Sequence, residues 1–95
     1  MSVYFIANIR SHDVQEYEKY LNGCDEVFAK YKGEYLAVDE SPVVLEGEWN
    51  YTKVVLIRFP TEADLRQWYE SDEYQQILKH RLNGVCDTVV AHGIL

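Results

Sequence analysis

The sequence predicts a ferredoxin-like α+β domain of βαββαβ order with a four-stranded antiparallel sheet, and three observations predict it. Residues 3–10, 53–59 and 86–94 are strand-length runs rich in aromatic and β-branched residues. Two segments between them carry apolar residues at steps of three and four behind Asp and Thr caps. A further pair of strand-like stretches fills residues 34–48, so the order reads strand, helix, two strands, helix, strand.

Val3–Arg10, rich in aromatic and β-branched residues, forms the first strand. Asp13 with Glu16 three residues on is a capping-box pattern that starts the first helix. Val14, Tyr17, Leu21, Cys24, Phe28 and Tyr31 then form its stripe, broadened by Tyr20 and Val27. Gly33 is expected to end that helix in a left-handed conformation. Residues 34–38 and 43–48 read as one edge strand interrupted around Asp39–Pro42, because a proline is tolerated only where no ladder donor is needed. Thr61 with Asp64 caps a second helix carrying Leu65, Trp68 and Tyr69. Ser71 looks like a fresh cap, so a break is expected there, with Tyr74, Ile77, Leu78, Arg81 and Leu82 continuing inward until Gly84.

Size and charge bound the function. The 95 residues form one domain, residues 1–95, with no internal linker. A chain this short buries only about two-thirds of its unfolded surface. Yet 47% of its residues are hydrophobic, which points to more buried surface than one copy supplies. Nine Lys and Arg against sixteen acids give a net charge of −7, which argues against nucleic acid or an anionic membrane as partner. No window approaches the ~20 apolar residues of a membrane span. Cys24 and Cys86 lack any CxxC spacing, and together these features predict a cytoplasmic protein without a disulfide scaffold. His12, His80 and His92 do not have metal spacing, so neither a metal nor a cofactor is expected.

The faces of the first and third strands predict a partner. With the two taken as parallel central neighbours, Val3, Phe5, Ala7 and Ile9 lie with Val55, Ile57 and Phe59 under the helices. Tyr4 and Ile6 lie with Val54 and Leu56 on the other face, where a solvated sheet would be polar. A second subunit is the simplest cover. Two such sheets face to face make an intermolecular barrel, and a homodimer through the sheet face is expected.

Candidate chemistry collects where that second face turns polar. Asn8 and Arg10 share it with Arg58, and His12 follows. In parallel neighbours Arg10 and Arg58 would sit at one rim, where two guanidiniums hold a carboxylate or phosphate, or pair with a nearby Glu. Glu46 and Glu48 share a strand face, and there a charged edge is the simpler reading. Tyr17, Tyr20, Tyr31, Trp68, Tyr69 and Tyr74 are mostly core residues. Buried phenols need partners, however, and several could line a pocket between helices and sheet.

The residues Asp13, Tyr17 and Tyr20, Leu45-Glu46-Gly47, Val54-Val55 through Phe59-Pro60, and Trp68-Tyr69-x-Ser71-x-x-Tyr74 with Arg81 and Gly93 carry a resemblance. Nearly the whole chain resembles the domain-of-unknown-function 1330 family of the dimeric α+β barrel superfamily. The resemblance implies a pocket between helices and sheet, with Glu46, Tyr69, Ser71, Tyr74 and Arg81 as site candidates, and it implies no particular activity. Arg58 stands where relatives often carry an acid, and His92 stands where they often carry Glu. Asn8, Trp68 and His80 are similar to the Asn–Trp–His set of the haem-degrading branch of the superfamily.

The functional expectation is therefore a small anionic or phenolic metabolite bound in that pocket. The chain would act on it as a cofactor-independent enzyme, with Tyr74, Arg81, Glu46 and His12 orienting substrate and moving protons. The alternative is a non-catalytic binding or stress-response dimer, and a minor alternative, implied by the superfamily resemblance, is a haem-degrading or cofactor-free monooxygenase.

Overall fold

Alternation of side chains carries β1 from Val3 to Ser11: Val3, Phe5, Ala7 and Ile9 are buried, while Tyr4, Ile6 and Asn8 between them are half-buried. The computed structural model describes the backbone of residues 2–93 and the side chains of residues 2–83. After β1 come α1 (Val14–Phe28), β2 (Glu34–Asp39), β3 (Lys53–Phe59), α2 (Glu62–Tyr69), α3 (Asp72–Gly84) and β4 (Val85–Gly93). The strands form one sheet in the order β2-β3-β1-β4, every neighbour antiparallel.

That pairing corrects the expectation that β1 and β3 run parallel. The α1 crossover returns the chain so that β2 points the same way as β1. The β2–β3 connection then reverses it, and β3 enters between the two with the opposite direction. Tyr4 therefore faces Arg58 and Ile9 faces Lys53 across the ladder.

Helix starts follow their caps. The Asp13 carboxylate accepts from the Glu16 N–H at 3.2 Å, but the Glu16 side chain does not close the capping box. It bonds Lys19 and His80 instead. Thr61 Oγ1 accepts from the Asp64 N–H at 3.1 Å and starts α2. Ser71 produces the expected break: its hydroxyl donates to the Trp68 carbonyl at 2.8 Å and accepts from the Tyr74 N–H at 3.2 Å. One serine thus closes α2 and opens α3.

Three local expectations change. The helix α1 ends at Phe28 without a left-handed residue, and Gly33 serves space rather than conformation. A Cβ there would lie 2.6 Å from the Phe28 ring and 2.8 Å from the Phe59 ring. Residues 43–48 are not a strand, because β3 already pairs on both sides and Gly47 turns the chain with φ +84°. Val43 and Leu45 are consequently almost fully exposed. Val14, Leu21 and Leu82 also lie outside the core, at the margins of their helices' buried stripes.

The core lies between the helices and one sheet face. Phe59, Trp68 and Tyr74 are its largest fully buried side chains. Burial of each stabilises the fold by about 1.5–3 kcal/mol. Trp68 meets Phe5, Phe28, Phe59 and Tyr74 at ring-centroid distances of 4.3–5.7 Å. Among the described residues no helix is long and apolar enough to cross a membrane.

Candidate functional site

The helix α1 packs along α3, and between α1 and the β2–β3 side of the sheet a cavity of about 420 Å³ remains. Its floor is the buried face of the central strands, Phe5, Ala7, Ile9, Val55 and Ile57. One wall is the buried stripe of α1, with Tyr17, Tyr20 and Cys24. Tyr35 and Val38 of the edge strand, with Trp68 of α2 and Arg81 of α3, complete the lining. Ligand pockets run to about 300–1,000 Å³, mostly apolar with a few convergent polar groups, and this cavity has that character.

Its polar groups are buried phenols and a buried guanidinium. The hydroxyls of Tyr20 and Tyr74 lie 2.8 Å apart. Arg81, almost fully buried, places its positive charge near the Tyr74 hydroxyl and lies 5.8 Å from the Tyr20 ring. Tyr17 stacks on Tyr20 with centroids 5.9 Å apart, and Lys53 Nζ donates to the Tyr17 hydroxyl at 3.3 Å. Near the edge strand the Tyr35 hydroxyl lies 3.7 Å from Cys24 Sγ.

Burial decides what these phenols can do. It pushes Tyr20 and Tyr35 well above the ordinary phenol value, assisted by the neighbouring Tyr74 and Cys24 respectively. Tyr74 is pushed up to about 12 by burial, with Arg81 pulling the other way. All three stay protonated at neutral pH, so they recognise a ligand as neutral hydrogen-bonding groups and do not act as phenolate bases.

A phenol whose folded value is raised contributes stability below its unfolded value of 10.0, and that stability is lost as pH rises toward the folded value. In an alkaline titration, the phenolate absorbance of Tyr20, Tyr35 and Tyr74 is expected to appear only above the ordinary phenol range. It should appear together with loss of the folded circular dichroism signal. Simultaneous ionisation of all eight tyrosines near pH 10 in the folded chain would contradict this burial.

The sequence candidates divide. Arg81 lines the cavity, while Tyr74 lies buried behind it, bonded to the lining residue Tyr20. Tyr69 packs against the core beside them, and Ser71 is occupied in capping α3. Glu46 is exposed in the β2–β3 connection, outside the cavity lining. Arg10 and Arg58 do not share a rim: Arg58 lies opposite Tyr4, six residues from Arg10 along β1. At 3.3 Å per residue that is about 20 Å. Arg58 instead pairs with Glu34 at 2.6 Å. Arg10 and His12 are exposed, and Asn8 is half-buried on the sheet face away from the helices.

The same geometry separates Asn8 from Trp68, which is buried under the helices on the other side of the sheet. His80 is engaged by Glu16 at 2.7 Å, a bond that holds the Glu16 carboxyl below its usual range. The Asn–Trp–His set is therefore not assembled. Tyr17 and Tyr20 belong to the aromatic stripe from which pocket lining was expected, whereas nothing in the sequence marked Cys24, Tyr35 and Lys53 as site residues.

The profile of the domain of unknown function 1330 (DUF1330) matches residues 2–94. The chain belongs to the DUF1330 family. No curated protein matches it. Solved structures share its fold at low identity. A protein of unknown function from Rhodopseudomonas palustris superposes with a TM-score of 0.82 at 16% identity, over 99% of this chain and 82% of that one. A dimeric ferredoxin-like protein of unknown function from Jannaschia gives 0.79 at 12% identity, over 99% and 100%. SnoaB of Streptomyces nogalater, a cofactor-independent oxygenase, gives 0.69 at 12% identity, over 99% and 93%. These likenesses establish a ferredoxin-like fold for this DUF1330 chain.

Proposed function

We propose that the protein is a homodimeric small-molecule binder whose cavity beneath α1 takes a small anionic or phenolic metabolite. The observation that carries this reading is a largely apolar cavity whose lining includes the Arg81 guanidinium and the Tyr17 and Tyr20 phenols, with Tyr74 bonded to the Tyr20 hydroxyl behind it. A guanidinium and two hydroxyls held in a fixed arrangement recognise a polar ligand end, while Phe5, Val55 and Ile57 accept its apolar body. A binder is favoured over a cofactor-independent enzyme because the buried phenols stay neutral and no histidine is among the cavity's lining residues. The oxygenase from Streptomyces nogalater shares the fold alone and brings no activity with it.

Thermal denaturation against a panel of single-ring acids and phenols tests the reading. A ligand at tenfold excess over its Kd adds about 1.4 kcal/mol, and each kcal/mol moves a domain of this size by about 4–8 °C. At least one member is expected to raise the Tm by several degrees. A Cys24→Phe variant, which fills the cavity, should abolish that shift. A panel without any shift would overturn the reading.

The dimer rests on the outer sheet face, where Tyr4, Ile6, Val54 and Leu56 are half-buried with no described element of the same chain over them. The fold also occurs in the Jannaschia protein, which is dimeric. Sedimentation is expected to show a dimer at micromolar concentration and a monomer for Ile6→Asp, whose charge no apolar partner face would accept. A monomeric wild-type chain would overturn the sheet-face dimer.

A further inference from the structure

The cavity lining is sorted by charge, and the sorting indicates which end of a ligand goes where. Among the described residues three charged side chains line it: Lys53, Arg81 and Asp25. The two cations belong to one end. Lys53 Nζ lies 5.4 Å from the Tyr17 ring and bonds its hydroxyl, while Arg81 lies 5.8 Å from the Tyr20 ring, and the two rings are stacked neighbours. Asp25 belongs to the other end, one residue past Cys24, where its charge acts on Tyr35.

Lys53 differs from five of the chain's other cations. Lys19, Lys30, Lys32, Arg58 and Arg66 all reach carboxylates, whereas the partner shown for Lys53 is a neutral phenol. A chain of net charge −7 thus keeps two cations on the wall of its apolar cavity.

We propose that the ligand is a carboxylate with a flat or short apolar body, bound in one orientation. Its carboxylate lies at the Tyr17–Tyr20 end, in the positive field of Lys53 and Arg81. Its body runs over Val55 and Ile57 toward Cys24 and Tyr35. The Asp25 charge disfavours the reverse orientation, since an anion at that end would meet a carboxylate. This rests on the reading of the cavity as a ligand site and narrows it from anionic or phenolic compounds to carboxylates. A neutral phenol would leave Lys53 without a counter-charge.

The test compares 3-phenylpropanoate with 3-phenylpropanamide, probes of the same shape that differ in charge, by titration calorimetry on the full chain. The acid is expected to bind about tenfold more tightly, the usual scale of a charge-assisted hydrogen bond. Lys53→Met should remove most of that preference and Lys53→Arg should restore it. Lys79→Met, at an exposed lysine outside the cavity, should leave it intact. Circular dichroism of each variant separates lost binding from lost folding.

Equal binding of acid and amide would overturn the carboxylate assignment while the cavity reading stands. An acid preference unchanged in a folded Lys53→Met chain would overturn the placement at Lys53. Failure of both probes to bind at millimolar concentration would overturn this proposal and the cavity reading together.

Discussion

Trp68→Ala is expected to lower the unfolding free energy by about 3–5 kcal/mol, the range for removing a large aromatic from a packed core. A domain of this length is stable by about 5–14 kcal/mol, so the loss would take about a fifth of the total or more. Trp68 is nearly inaccessible and touches rings from β1, α1, β3 and α3 at once. The hole left by alanine cannot close by the movement of one element. It would also open into the ligand cavity, which Trp68 bounds. Trp68→Phe should cost much less. It keeps a ring in place and deletes an indole N–H that is buried without an acceptor. Urea unfolding at one protein concentration, with unchanged slope, checks both variants. A loss under 1 kcal/mol for the alanine variant would mean that the ring cluster is not the centre of the core.

The centrality of Trp68 was partly legible in the sequence. It falls on the apolar stripe of the second helix, and that stripe restarts at Tyr74 beyond the Ser71 cap. A second group holds the break together. Gln75 is exposed, and its side chain donates to the Tyr69 carbonyl at 2.7 Å across the junction of α2 and α3. The break therefore rests on Ser71 and Gln75 together, and only the serine was recognisable as a cap from spacing.

Other features were legible for the same local reason. Caps at Asp13 and Thr61 depend on a side chain and an N–H three residues away, which spacing alone reveals. The buried face of β1 and β3 depends on alternation, which spacing also reveals. Strand direction does not. Whether Arg10 and Arg58 meet depends on the path of the whole chain, and the antiparallel ladder separates them by the length of the sheet. Gly33 and Gly47 show the same limit. Both are glycines near turns, yet one is demanded by the Phe28 and Phe59 rings and the other by a positive φ. The cavity was the least legible feature, since Lys53 reads as an ordinary strand start until Tyr17 is placed beside it.

Tyr74→Phe is expected to cost about 1–3 kcal/mol although it removes a single oxygen, because a buried polar group that loses its partner keeps its desolvation penalty. The Tyr74 hydroxyl bonds Tyr20 at 2.8 Å and lies in the field of Arg81, so its loss leaves the buried Tyr20 hydroxyl without that partner. Tyr20→Phe should cost less, since the Tyr74 hydroxyl it leaves behind keeps the favourable charge of Arg81 beside it. The double variant should cost less than the sum of the two, because the second substitution removes the hydroxyl that the first left unpaired. Urea unfolding of the four chains in this cycle measures the coupling. Strict additivity would show that the hydroxyls act independently. A coupled pair that also weakens binding of a carboxylate probe would tie the stability of the core to recognition in the cavity, since the Tyr20–Tyr74 pair and Arg81 serve both.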